Sequence, residues 1–107
     1  MEQISRWKFG LSDQQLNTVI EIISSYSEIT EAIIFGSRAK GTYRRGSDID
    51  IAIKCDNSKF DKRGDLISRF DESNLPLFVD IVDYNSITTN ELKIQIDLYG
   101  VVFYKRK

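Results

Sequence analysis

No histidine occurs anywhere in the 107 residues. That absence removes Ser-His-Asp and Cys-His catalysis, His-ligated zinc and an imidazole general base. Any chemistry must rest on carboxylates, amines, hydroxyls or a bound metal. Cysteine is nearly absent too: Cys55 stands alone, so no internal disulfide can form, and a reducing compartment fits. Proline occurs once, at Pro76, in a loop-like setting. No apolar run approaches the roughly eighteen residues that span a bilayer, so no membrane segment is expected. The opening stretch MEQISRWKFG lacks the apolar core of a signal peptide, which makes the cytoplasm the expected location. Repeats and low-complexity tracts are missing as well.

An excess of one charge is also lacking. Fifteen basic residues face 16 acidic ones, for a net charge of −1. A surface built to grip nucleic acid draws on a large basic excess, so nucleic acid is not the expected partner. A local basic patch remains open. The length suits one domain over residues 1–107. Burial is limited at this size, which leaves room for a homo- or hetero-oligomer.

What is present is ordered by periodicity. Ser12 followed by Gln15 forms a capping-box pattern. Leu16, Val19, Ile20, Ile23 and Tyr26 then recur at helical spacing, predicting a helix that frays near Ser27. Glu31 to Phe35 is short, apolar and ends at Gly36, as a buried strand entering a tight turn does. Residues 36 to 47 form a glycine-rich basic loop, with one turn of helix at Ser37 to Lys40. Asp48 to Lys54 alternates cleanly, with Ile49, Ile51 and Ile53 on one face and Asp48, Asp50, Ala52 and Lys54 on the other. Phe60 to Phe70 predicts an amphipathic helix, Leu77 to Val82 a third strand, Thr89 to Tyr99 a helix stopped by Gly100, and Val101 to Tyr104 a last strand. The economical fold class is α/β (α+β): a mixed β-sheet with helices packed on it.

Two aspartates stand out on the second strand. Asp48 and Asp50 point to the same side, their Cβ atoms roughly 6–7 Å apart by the strand rise. Carboxylates held so repel one another unless a cation lies between them, and oxygen donors suit Mg²⁺ before zinc. A polar strand face turned to water accounts for the pair equally well. Asp80 interrupts the apolar run LFVDIV, where a carboxylate needs either a cationic partner or a metal. Asp83 points to the opposite face and reads as surface or structural. Gly36 allows close backbone approach, Ser37 offers a hydroxyl and an amide, and Arg38, Lys40, Arg44 and Arg45 can neutralise phosphate charge.

The stretch GSRAKGTYRRGSDIDIAI resembles the signature of the polymerase-β-like nucleotidyltransferases: Gly-Ser-x-small-x-Gly, then Ser-Asp-x-Asp. The short chain and its ending GVVFYK are similar to the minimal nucleotidyltransferase (MNT) branch, over about Leu16 to Tyr104. The resemblance implies a polymerase-β-like palm. It implies that Gly36 and Ser37, with Arg38, Lys40 and Ser47, bind the nucleoside triphosphate, and that Asp48, Asp50 and Asp80 are catalytic and hold two Mg²⁺ ions. It further implies AMP transfer from ATP to a protein hydroxyl, with a HEPN-family toxin as partner and this chain as antitoxin. A non-catalytic antitoxin that acts by binding alone, and a small-molecule nucleotidyltransferase working with a helper subunit, are the alternatives. Trp7 and Phe9 are expected to pack on the core, Cys55 to be structural, and the tail KRK to be solvated.

Overall fold

Ser12 and Gln15 satisfy each other's backbone at the start of α1 (Asp13–Ser24): Ser12 Oγ accepts from the Gln15 amide at 3.1 Å, and Gln15 Oε1 accepts from the Ser12 amide at 3.0 Å. The reciprocal pair quiets two of the donors that every helix start leaves open. Chain order continues with β1 (Ile29–Phe35), α2 (Ser37–Lys40), β2 (Ile49–Cys55), α3 (Arg63–Asp71), β3 (Val79–Asp83), a 3₁₀ turn (Tyr84–Ser86), α4 (Asn90–Tyr99) and β4 (Val101–Lys105). This computed structural model describes residues 9–56 and 60–106. Trp7 and Lys107 lie outside the described residues.

The four strands form one mixed sheet in the order β3-β2-β1-β4. β1 pairs antiparallel with β2 and β4, and β2 pairs parallel with β3. Each face of the sheet carries its own cluster. On one side Ile49, Ile51 and Ile53 from β2, Ile34 from β1 and Ile81 from β3 meet Val19 and Ile23 of α1 and Leu66 and Phe70 of α3. On the other, Ile33, Phe35 and Ala52 meet Ile96 of α4. The alternation read from the sequence is thus a division between two cores, with α1 and α3 over one and α4 over the other. Phe9 packs at the margin of the larger cluster. The far side of α4 and β4 leaves Ile94, Leu98, Tyr99, Val101 and Val102 exposed.

Several predicted boundaries shift, each for a local reason. β1 begins at Ile29 rather than Glu31, because Ile29 is buried and pairs with Cys55. α3 begins at Arg63 rather than Phe60. Phe60 is buried, and its amide donates to Asp83 Oδ2 at 3.0 Å, so its backbone is engaged outside any helix. β3 begins at Val79, after an exposed Phe78, and runs on to Asp83. Asp83 is structural: it is buried, and it accepts from Phe60, from the Ser86 hydroxyl and from the Asn85 amide. The tail is less free than expected, since Arg106 forms two 2.9 Å hydrogen bonds to the Asp56 carboxylate. Burial, reinforced by Asp83, pushes the Cys55 thiol up and away from its reactive thiolate form.

Ile51 has no exposed surface and lies beside Asp50 in β2. Truncating such a side chain loses transfer energy and leaves a cavity. Ile51→Ala is expected to lower unfolding free energy by about 2–5 kcal/mol, read from the midpoint of a urea titration at unchanged slope.

Candidate active site

The end of the sheet where β1 finishes and β2 and β3 begin is built from three short facts of sequence. Phe35 closes β1 opposite Asp50 of β2. Gly36 turns the chain with φ +76° and ψ −153°, a conformation that side chains avoid. A Cβ built on Gly36 would stand 2.5 Å from Asp50 Oδ2. Glycine is required there twice over, once for the dihedral and once for the space. The Gly36–Ser37 turn therefore sits against the Asp50 carboxylate.

Asp50 and Asp80 are direct partners in the parallel β2–β3 pairing, at the inter-strand spacing of about 4.8 Å. Asp48 lies two residues before Asp50, exposed at the mouth of the strand. The electrostatics register the convergence. Burial pushes the Asp50 carboxyl above its ordinary range, and the charges of Asp80 and then Asp48 push it further, against a smaller lowering by Arg38. Among the described residues no three acids form a ready-made metal-ligand cluster. Asp80 instead has a cationic neighbour: Arg63 Nη2 lies 3.8 Å from Asp80 Oδ1. Both partners are about half exposed, at 52% and 48%, so the pair is weak and readily exchanged. The donor set is all oxygen, two of its members are strand neighbours, and one is half-buried with its proton affinity raised. That chemistry fits a hard divalent cation.

The other residues expected at the site divide. Ser37 opens α2 directly after Gly36, beside Asp50. Lys40 is exposed, its ammonium 4.9 Å from the centre of the Tyr99 ring. Arg38 is 4% exposed, and its guanidinium donates from Nε and Nη2 to the Ser47 carbonyl at 3.1 and 2.8 Å and from Nη1 to the Phe9 carbonyl at 2.8 Å. It also lies 5.1 Å from the centre of the Tyr43 ring. Arg38 fastens the loop at both ends. Ser47 helps close that loop, its hydroxyl accepting from the Arg44 amide at 2.9 Å. Arg44 and Arg45 are exposed on the loop. Sequence reasoning overlooked Arg63. Its Nε donates to the Ile81 carbonyl at 2.6 Å, which places it across the open edge of β3. Only its position at the start of an amphipathic helix hinted at this.

A glycine turn set against paired acids on adjacent strands of a mixed sheet is the arrangement of a nucleotidyltransferase palm. The chain belongs to the Polymerase beta, Nucleotidyltransferase family, whose model matches residues 17–107. A curated relative, the probable protein adenylyltransferase MntA of Haemophilus influenzae, is 36% identical over 74 residues, covering 68% of this chain. The match spans only 65% of that relative's length. A crystal structure of a toxin–antitoxin with AMP-PNP superposes with a TM-score of 0.71 at 28% identity, over 86% of this chain and 74% of that one. A nucleotidyltransferase-like protein from Sulfolobus solfataricus superposes with a TM-score of 0.55 at 28% identity, over 96% of this chain and 83% of that one.

Two outcomes test this geometry. Gly36→Ala is expected to lower stability by about 1–3 kcal/mol from backbone strain alone, measured by denaturant unfolding, and to displace Asp50. Asp50→Asn removes a carboxylate whose folded-state pKa is raised, so ionisation of Asp50 opposes folding. In metal-free buffer the variant should melt higher than the parent at pH 8. That advantage should fade as pH falls through the raised pKa of Asp50 and vanish below the ordinary carboxylate range, where both forms are neutral. Thermal melts across pH read the difference directly.

Proposed function

We propose that this chain transfers a nucleoside monophosphate, AMP from ATP, to a hydroxyl on a partner protein. The observation that carries the reading is the contact of the Gly36 turn with Asp50, whose strand partner is Asp80. A triphosphate lodged at the turn has its α-phosphorus delivered to the acids. Gly36 admits the phosphate chain closely, and the Ser37 amide and hydroxyl face it. Asp48 and Asp50 would hold Mg²⁺, with Asp80 completing the second of two ion sites. Bound there, the ions neutralise charge on the triphosphate and acidify the attacking hydroxyl. Asp80, on the outer strand, can take the proton of the attacking hydroxyl, so no histidine is needed. Lys40 and the exposed Arg44 and Arg45 supply positive charge around the leaving pyrophosphate.

Relatedness to MntA and to a toxin–antitoxin assembly holding AMP-PNP supports an antitoxin acting on a partner toxin; we take that partner to be of the HEPN type and residues 1–107 to be one catalytic module. Among the described residues no helix is long and apolar enough to cross a membrane, and the cytoplasm is where its ATP would be met.

Incubation of the chain with its HEPN partner, ATP and Mg²⁺, followed by intact-mass measurement, is expected to show one or more AMP additions to the partner. Asp48→Ala and Asp50→Ala should each slow that addition by more than about a thousandfold, the loss of several kcal/mol of transition-state stabilisation. No mass gain, with the partner still silenced by Asp48→Ala, would establish neutralisation by binding alone.

A further inference from the structure

The last residue of α4 brings an aromatic ring to the phosphate-binding turn. Tyr99 is half exposed, and the Lys40 ammonium lies 4.9 Å from the centre of its ring. Lys40 ends α2, the single helical turn that follows Gly36, and its amide donates to the Gly36 carbonyl at 3.2 Å. α4 covers the sheet face that bears the acids: Ala52, two residues beyond Asp50 on β2, packs in the same cluster as Ile96 of α4. The contact between Lys40 and Tyr99 therefore joins the turn to the helix on the acid side of the sheet.

The ring is held in place from beneath. Gly100, next to Tyr99, approaches β1 so closely that a Cβ there would stand 2.7 Å from Ile33 Cγ2. The Gly100 amide donates to the Ile96 carbonyl at 2.9 Å, and Ile96 is buried with Ile33, Phe35 and Ala52. The end of α4 is thus seated on the sheet before any ligand arrives. A ring face also holds an ammonium differently from a carboxylate. It attracts the charge without cancelling it, and it leaves N–H groups free to donate. Among the described residues no carboxylate forms an ion pair with Lys40.

We propose that Tyr99 is a positioning residue for the nucleotide: its ring holds the Lys40 ammonium, still charged, where the β- and γ-phosphates arrive. The inference rests on the nucleotidyl-transfer reading above. There the α-phosphorus goes to the acids, so the two outer phosphates lie toward Gly36 and α2. A lysine side chain gives up rotamer freedom when it meets a phosphate. The ring has already restricted that freedom, so less is lost when the triphosphate binds. Lys40 touches the phosphates, and Tyr99 acts through Lys40.

Tyr99 is half exposed, so Tyr99→Leu leaves the core intact. In isothermal titration with AMP-PNP and Mg²⁺, Tyr99→Leu should weaken binding about two- to fivefold, the range of an exposed cation–ring contact. Tyr99→Phe, which keeps the ring, should restore it. Binding of AMP, which has no outer phosphates, should be equal in Tyr99→Leu and the parent. Lys40→Ala should weaken AMP-PNP binding at least as much, and adding Tyr99→Leu to it should change nothing further. Thermal melts confirm that each variant is folded. Unchanged AMP-PNP affinity in Tyr99→Leu, an equal loss for AMP, or additive losses in the double variant overturn the assignment. Failure of the parent chain to bind AMP-PNP at all would instead overturn the nucleotidyl-transfer reading on which it stands.

Discussion

Three carboxylates at one end of a sheet repel one another, and the rest of the fold is what keeps them there. Asp50 cannot retreat, because Ile49 and Ile51 on either side of it are fully buried under α1 and α3. Asp80 cannot change faces, because the parallel register sets it opposite Asp50 while Val79 and Ile81 enter the same core. A slip of one residue in β3 would turn Asp80 to the wrong side and expose two core residues, so hydrophobic burial enforces the electrostatic strain. The cost of crowding the acids appears in the raised proton affinity of Asp50. A divalent cation lodged there would turn that cost into affinity, since it would remove the repulsion and gain the ligands together.

The cationic groups around this acidic end divide their work by how tightly the protein holds them. Arg38 is buried, and the Phe9 and Ser47 carbonyls use its guanidinium. Arg63 is half exposed and only loosely paired with Asp80, though firmly anchored at the Ile81 carbonyl. Lys40 is exposed against Tyr99. The first suits architecture and the other two suit contacts that form and break.

Much of this was legible in the chain because it is local. Alternation over Asp48 to Lys54 reveals a strand and its two faces, since a strand has a period of two. Ser12 and Gln15 reveal the helix start because the capping box spans three residues. Gly36, Asp48 and Asp50 stand close enough in sequence for their grouping to be read. What escaped notice depends on distant partners. Arg38 lies in a basic loop, and its structural contact, the Phe9 carbonyl, is 29 residues earlier in sequence. Phe60 carries helical periodicity, but Asp83, 23 residues away, captures its amide and delays α3. Arg63 looked like one more charge on a helix until the sheet order placed β3 at an edge beside it.

Arg38 has one more effect, on how this molecule can change. Its side chain bridges the beginning of the loop, at α2, to the loop's end, at Ser47, and gathers in the segment before α1. With both feet of the loop clamped by a single group, the exposed tip at Arg45 and Gly46 is the part least tied to the strands. Insertions, deletions and new side chains can accumulate there at small entropic expense, while the strand below stays in place. The specificity of a nucleotide site can thus drift by remodelling its rim, its acidic floor remaining unmoved.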